Sequence, residues 1–297
     1  MTAKERLGVA WRLLRPFTLV ASVVPVLTTM ALALHVGAVR WGVAWAFLAA
    51  AILIQSATNM FNEYFDYRRG LDTEEMVGIA GTIVRDGVSP NVVLGLGITF
   101  TTTAIALGLY ISASSSWWVF AAGLGCIGVA LLYSAGPIPL SYTPFGELAA
   151  GTVMGPGMML IAIYAMTSSI PTLAVLTSIP VGILIGAINF ANNLRDMEQD
   201  REGGRRTLAI RLGRDRARRL LAGIFAAAFA IVVLLVLLKQ LTPWVLLTLL
   251  SVPLAVRVIR RFAQYSEAKD LHPAVKGTSQ LLLAFGVLLQ AGFLLSL

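Results

Sequence analysis

Two polar stretches interrupt an otherwise apolar chain, and their residue types are those that hold cations and phosphates. The first carries Asn59, Asn62 and Asp66, then Arg68, Arg69 and Asp72. On a helix Asn59, Asn62 and Asp66 fall at i, i+3 and i+7 and line one stripe. The second carries Asn189, Asn193, Asp196 and Asp200 at i, i+4, i+7 and i+11, again one helical face. Amides and acids at the end of a hydrophobic span are costly unless they face a cavity or a partner. Together they make an all-oxygen ligand set, which hard cations prefer; Mg²⁺ in particular binds through one or two carboxylates plus phosphates and water. Arg68, Arg69, Arg195, Arg205 and Arg206 surround the acids, and guanidinium forks match phosphate oxygens. With an apolar bundle behind them, these residues suit a Mg²⁺-bridged lipid diphosphate.

The elements that must position these residues are membrane helices. Of the 297 residues 57% are hydrophobic and only 13% charged, with a mean hydropathy of +0.80. Soluble domains carry about 25% charged residues, so a soluble globule is excluded and the chain reads as an all-α polytopic membrane protein. Nine apolar segments can be drawn, over 16–39, 42–65, 92–111, 117–133, 148–166, 171–193, 217–238, 243–262 and 279–297. The expectation is a single transmembrane domain over 1–297, with its two polar motifs at 59–75 and 189–207. Cys126 is the lone cysteine and lies in an apolar run, which excludes a disulfide framework and a thiolate metal site.

A net charge of +8 and a pI near 10.1 would suggest nucleic acid in a soluble protein. Here the arginine excess of cytoplasmic loops accounts for it, and no nucleic-acid partner is expected. With the amino terminus inside, the inner connections hold Lys4, Arg6, Arg12, Arg15, Arg68, Arg69, Arg85, the dense run from Arg195 to Arg219, and Arg257 to Lys276. The outer ones hold only Arg40 and Lys239. The apolar run after Arg15 is long and lacks a small-residue cleavage site, so it reads as a retained first helix. Both polar motifs then emerge at the cytoplasmic face, four helices apart, as in an internal pseudo-repeat.

If the lipid is an allylic diphosphate, metal and arginines stabilise the departing diphosphate. Rings such as Phe61, Tyr64, Phe65, Tyr133 or Tyr142 could steady the allylic cation, and an intramembrane cavity keeps water from it. At these residues the chain resembles the UbiA superfamily of intramembrane aromatic prenyltransferases. The pattern Asn62-x-x-x-Asp66-x-x-x-x-x-Asp72 and the pattern Asp196-x-x-x-Asp200 look like its two aspartate-rich motifs. Asn192 to Asp196, Asp200 to Gly213, Arg15-Pro16, and Tyr133 to Pro137 are similar to the branch that prenylates 1,4-dihydroxy-2-naphthoate in menaquinone synthesis. The resemblance implies a UbiA-like bundle of about nine helices around a central cavity. It also implies Mg²⁺-dependent transfer of a polyprenyl group to an aromatic acceptor, giving demethylmenaquinone. Asn62, Asp66, Asp196 and Asp200, with Asp72, would hold Mg²⁺. Arg68, Arg69, Arg195, Arg205 and Arg206 would meet the diphosphate, and Arg15, Asn59, Tyr133, Ser134, Asn189 and Asn193 are possible substrate contacts. Gly70 stands where the 4-hydroxybenzoate branch has its later acid, which favours naphthoate over benzoate; a family member with another acceptor, such as 4-hydroxybenzoate or homogentisate, is the alternative.

Other readings compete. A cation-coupled secondary transporter would also place acids in a membrane, but these cluster at one face and not at the midplane. Glu63, Glu74, Glu75, Glu198 and Glu202 are as well explained as solvated acids, and Asn59 and Asn189 as helix-to-helix hydrogen bonds. The arginines from 211 to 219 read as topological and lipid-facing. His35 and His272 lie away from the motifs in sequence, as structural or exposed residues. Gly123, Gly125, Gly128, Gly182 and Gly186 suit close helix packing. Oligomeric state leaves no mark in the sequence.

Overall fold

The computed structural model describes residues 3–72, 77 and 81–297, with side chains from residue 7 onward. Glu74 and Glu75, and the side chains of Lys4, Glu5 and Arg6, lie outside the described residues. The chain begins with α1 (Ala3–Leu14), α2 (Pro16–Ala33) and α3 (Trp41–Arg68). A short α4 (Thr82–Arg85), α5 (Pro90–Ala113) and α6 (Trp117–Ser134) follow. Next come α7 (Gly146–Thr152), a π-helical turn (Val153–Gly157) and α8 (Met158–Thr167), which together make one span. The second half runs α9 (Thr172–Arg195), α10 (Met197–Glu202), α11 (Leu208–Leu212), α12 (Arg214–Leu237), a 3-10 helix (Pro243–Ser251), α13 (Val252–Gln264) and α14 (Ala268–Leu294).

Among the described residues eight helices are long and apolar enough to cross a bilayer, which makes this a multi-pass membrane protein. The expected 243–262 segment differs. Its apolar half, opened by Pro243, winds as the 3-10 helix, and its second half is the amphipathic α13, with Arg257, Arg260 and Arg261 along it. The amino terminus also differs from a simple tail. It forms a separate amphipathic helix, α1, whose Val9 and Leu13 pack with Met60, Ile83 and Val93. Arg12 forks onto Asp86 at 2.7 and 2.9 Å, fixing α1 to the loop after α4. Between α1 and α2, Arg15 takes a left-handed φ of 48°, so the chain turns sharply just before Pro16, which is preorganised to start a helix.

The main core joins α2, α8, α9, α12 and α14 through side chains such as Leu32, Met159, Phe190, Phe225 and Phe285. Glycines bring α7 and α9 together: a Cβ on Gly182 would stand 2.7 Å from the Gly151 carbonyl oxygen and 2.8 Å from Pro156 Cδ. The π turn lies at this contact. Pro156 supplies no N–H, and a ladder that loses a donor commonly widens into a π-bulge. Gly182 and Gly186 thus serve close packing. Gly123, Gly125 and Gly128 do not, because nothing lies within 4 Å of a Cβ built on any of them. They run along α6, which packs through Val119 in a smaller cluster with Val43, Ile111 and Ile161 and lines a cavity with Gly123.

Candidate functional site

A cavity of about 460 Å³ opens among α2, α3, α5, α6, α9 and α14. Its walls are mostly apolar, and at one end it meets the polar termini of α3 and α9. Asn59, Asn62, Asp66 and Asp72 reach it from the first motif, and Asn189, Asn193, Asp196 and Asp200 from the second.

Local backbone geometry delivers these acids. Helix α3 stops after Arg68; Gly70 takes a φ of +72°, and the Leu71 N–H returns to the Asp66 carbonyl at 3.0 Å. This left-handed glycine turn caps the helix and folds Asp72 back beside Asp66. Helix α9 ends at Arg195, so the second motif is not one continuous helix. Asp196 closes α9 and opens α10, with its carbonyl accepting the Asp200 N–H at 2.8 Å. Asp200 still faces the cavity. The two motifs then touch: Gln199 Nε2 donates to the Leu71 carbonyl at 3.3 Å, and Gly203 leaves room for the Leu71 side chain.

Arg205 ties the acids together. One of its terminal nitrogens donates to both Asp66 oxygens at 2.9 Å, the other to Asp200 Oδ1 at 3.1 Å, and its guanidinium lies 5.1 Å from the Tyr142 ring centroid. Burial works against its charge, but Asp66 and Asp200 outweigh that and raise its pKa above the ordinary arginine value. Arg195 pairs with its neighbour Asp196 at 2.5 and 2.6 Å and meets His272 Nδ1 at 3.3 Å. Burial, then Asp66 close by, pushes Asp72 up to about 7; burial, opposed by Arg205 and reinforced by Asp196 and Asp66, pushes Asp200 up to about 7 as well. Converging carboxylates in a poorly solvated place behave so, and this is where a cation is most stabilising.

A divalent cation fits this site. Asp72 Oδ2 and Asp200 Oδ2 are buried without a hydrogen-bond partner, and the available donors are carboxylate and amide oxygens, the set that suits Mg²⁺. Among the described residues no three acids, histidines or cysteines already converge on one point, so phosphate oxygens and water would have to complete the shell.

The other residues singled out from sequence divide. Asn59 is buried and donates to the Leu14 carbonyl at 3.0 Å and to Thr18 Oγ1 at 2.9 Å, joining α3 to the α1–α2 corner. Asn189 donates to the Tyr133 hydroxyl at 2.7 Å, and Asn193 to Glu147 Oε1 at 2.8 Å. Ser134 is buried off the cavity; its carbonyl receives Arg69 at 2.8 Å. Arg69 is spent on that bond and on the rings of Phe65 and Tyr142, while Arg68 and Arg206 are exposed. Arg15 lines the cavity and reaches Glu63 at 3.4 Å. Glu63 is no solvated acid: it is 1% exposed and accepts from Thr82 Oγ1 and, at 3.1 Å, from the Ile83 N–H. Glu198 is exposed, as expected, and takes Arg214 at 2.8 Å. Within the arginine run, Arg214 has this protein partner, and Arg218 donates to the Tyr265 carbonyl at 2.7 Å.

Sequence distance misled for His272, which lines the cavity beside Arg195. His35 is structural, 3.0 Å from the Phe293 carbonyl. Of the rings expected near an allylic cation only Tyr133 lines the cavity; Phe61 packs on Gly97, and Tyr142 lies under two arginines. The cavity takes its other rings from Phe17, Phe47 and Phe120. Lys276 also lines it. Starting the last helix at 268 instead of 279 would have shown His272, Lys276 and Ser279 at i, i+4 and i+7.

The sequence profile of the UbiA prenyltransferase family matches residues 22–295. The 1,4-dihydroxy-2-naphthoate octaprenyltransferase of Bacillus subtilis (strain 168) is 46% identical over 99% of this chain and 94% of that protein. The protein of the same name in Mycobacterium tuberculosis (strain H37Rv) is 31% identical over 92% of both. In fold, a UbiA homolog from Aeropyrum pernix K1 superposes with a TM-score of 0.69 at 18% identity, over 94% of this chain and 97% of that one. A UbiA homolog from Archaeoglobus fulgidus bound to GPP and Mg²⁺ gives 0.64 at 17% identity, over 95% and 99%.

Proposed function

The chain belongs to the UbiA prenyltransferase family, and on that premise we propose that it transfers a polyprenyl group from an allylic polyprenyl diphosphate to 1,4-dihydroxy-2-naphthoate. The observation that carries this is the meeting of the two acid motifs, through Arg205, at the polar end of an apolar cavity. The naphthoate acceptor is supported by the names and full-length coverage of the two bacterial relatives. Residues 1–297 form one prenyltransferase domain in this reading. It sits in the cell membrane with its amino terminus and both motifs on the cytoplasmic side, as the arginine distribution favours.

Asn62, Asp66, Asp196 and Asp200, with Asp72 behind them, would hold Mg²⁺. When bound, Mg²⁺ neutralises charge on the leaving diphosphate as a Lewis acid. Arg195 and Arg205 line the same end of the cavity, as Arg15 does, and Arg195 and Arg205 stabilise diphosphate oxygens by charge-assisted hydrogen bonds. The apolar walls take the prenyl chain and exclude water, which would otherwise capture the allylic cation. Phe17, Phe47, Phe120 and Tyr133 present rings to it. The allylic carbon–oxygen bond breaks with its electron pair leaving on diphosphate. A carbon of the naphthoate ring forms the new bond, and loss of CO₂ returns an electron pair to the ring. The products are diphosphate, CO₂ and the prenylated naphthohydroquinone, the reduced form of demethylmenaquinone.

Membranes containing the protein, given labelled polyprenyl diphosphate, 1,4-dihydroxy-2-naphthoate and Mg²⁺, test the reading. A labelled prenylated product that disappears in Asp66→Ala and Asp196→Ala supports it. Undiminished product in both variants overturns the metal assignment, and transfer to other aromatic acids in preference to the naphthoate overturns the acceptor.

A further inference from the structure

Lys276 is an unusual charge. It lies on α14, half-buried, with its ammonium 4.9 Å from the centre of the Phe17 ring on α2, and both side chains line the cavity. Among the described residues no carboxylate comes within 4.0 Å of it, in contrast to Lys269 at the start of the same helix, which is fully exposed and pairs with Glu267 at 2.9 Å. A cation in an apolar wall is costly unless an anion meets it. Of the protein's own acids at this end, Asp66 and Asp200 are engaged by Arg205 and Asp196 by Arg195, and Asp72, whose Oδ2 has no partner, forms no ion pair with Lys276. The diphosphate in turn has Arg195 and Arg205. One anion of the reaction remains, the carboxylate of the aromatic acceptor.

Position agrees with chemistry. His272, Lys276 and Ser279 form one cavity-facing stripe of α14. His272 touches Arg195 of the second motif, so Lys276 stands one helical turn, about 5 Å, deeper than the clamp. The reacting allylic carbon is one ester bond from the diphosphate, and the ring carbon it joins lies at or beside the carbon bearing the carboxylate. An acid anchor for this reaction must therefore sit close below the clamp, as Lys276 does. Phe17 offers a flat apolar face beside it for an aromatic ring.

We propose that Lys276, seated over Phe17, binds the carboxylate of the aromatic acceptor and so selects hydroxyaryl carboxylic acids over uncharged hydroquinones. The inference rests on the prenyl-transfer reading above, and the experiment separates the two. Purified wild-type, Lys276→Gln and Lys276→Arg proteins are assayed with 1,4-dihydroxy-2-naphthoate, with 4-hydroxybenzoate, and with 1,4-dihydroxynaphthalene as a competing ligand that lacks the carboxylate. Lys276→Gln raises the KM for the acid about tenfold to a hundredfold, as loss of a charge-assisted bond does. The KM for polyprenyl diphosphate and the inhibition constant of 1,4-dihydroxynaphthalene stay as in wild type. Lys276→Arg, which keeps the charge, restores most of the affinity. An unchanged acceptor KM in Lys276→Gln overturns the inference while leaving prenyl transfer standing. A rise in the diphosphate KM instead overturns it by placing Lys276 in the clamp. Equal losses for the acid and the uncharged ligand, with no rescue by arginine, overturn it by making Lys276 a packing residue. Transfer to 4-hydroxybenzoate alone, lost in Lys276→Gln, supports the anchor and overturns the naphthoate reading.

Discussion

The guanidinium of Arg205 sits astride the carboxylate of Asp66, with one nitrogen 2.9 Å from both oxygens. The two residues come from opposite halves of the chain, and with the bond to Asp200 they close the polar end of the cavity. Arg205 therefore does two things for the site. It holds the motif loops against each other while like charges converge there, and it brings a planar phosphate-binding fork into the cavity.

Removing that fork should be expensive. In Arg205→Ala the half-buried Asp66 and buried Asp200 carboxylates lose their counter-charge, and the departing diphosphate loses a preorganised donor. Loss of one such donor costs about 10²–10³-fold in kcat. Arg205→Lys keeps the charge but, as a point donor, cannot span both acids, so it should recover only part of the rate. Initial rates of labelled prenyl transfer, with KM for the diphosphate measured separately, check both variants.

Stripping divalent cations should abolish transfer with little effect on the fold. Asp66 and Asp200 already share Arg205, and Asp196 already pairs with Arg195, so the folded chain does not depend on a metal to neutralise them. EDTA should bring product formation to background, Mg²⁺ should restore it, and the unfolding midpoint in detergent should shift by no more than about 2 °C, the effect of about 1 kcal/mol in a chain of this size. A collapse of the midpoint on chelation would assign the metal a structural role instead.

The spans carrying the site were legible because amides and acids are rare at the ends of apolar runs: Asn62, Asp66, Asp196 and Asp200 all reach the cavity. The arginines were not. Neighbours in sequence separate in space, so Arg205 enters the site while Arg206 is exposed, and Arg69 turns to the Ser134 carbonyl. Which way each points depends on loop backbone that no periodicity describes. His272 and Lys276 were hidden for another reason. They lie in the polar first turns of α14, ahead of the point where hydropathy alone begins the helix. The left-handed Arg15 likewise has no local signal, and the π turn joins a local cause, the N–H missing at Pro156, to the close contact of Gly182 with Gly151 and Pro156.

Glu63 should matter for stability more than for chemistry. It stands under α4, accepting from Thr82 and Ile83 and facing Arg15. Glu63→Ala leaves all three without their acceptor and the half-buried Arg15 guanidinium without its ion pair; breaking a buried pair in this way costs about 3–5 kcal/mol. Glu63→Gln retains an oxygen for Thr82 and Ile83 and should lose much less. Unfolding midpoints in detergent rank the two, and a Glu63→Ala protein as stable as wild type would count against this role.

Two glycine substitutions separate packing from open space. At Gly182 a Cβ would meet the Gly151 carbonyl oxygen at 2.7 Å and Pro156 Cδ at 2.8 Å. One is backbone and the other a rigid ring, so neither can yield without moving a helix. Gly182→Ala must push α9 away from α7, and overpacking of this kind costs about 1–3 kcal/mol. Because α9 carries Asn189, Asn193 and Asp196, the same displacement should lower kcat as well. At Gly128 nothing lies within 4 Å of a Cβ. Gly128→Ala relieves the conformational cost of glycine inside α6 and should stabilise the protein by about 0.5–1 kcal/mol without changing the rate. Unfolding midpoints and initial rates for the pair check both arms, and equal effects at the two positions would mean that the α7–α9 contact does not set the spacing of the second motif.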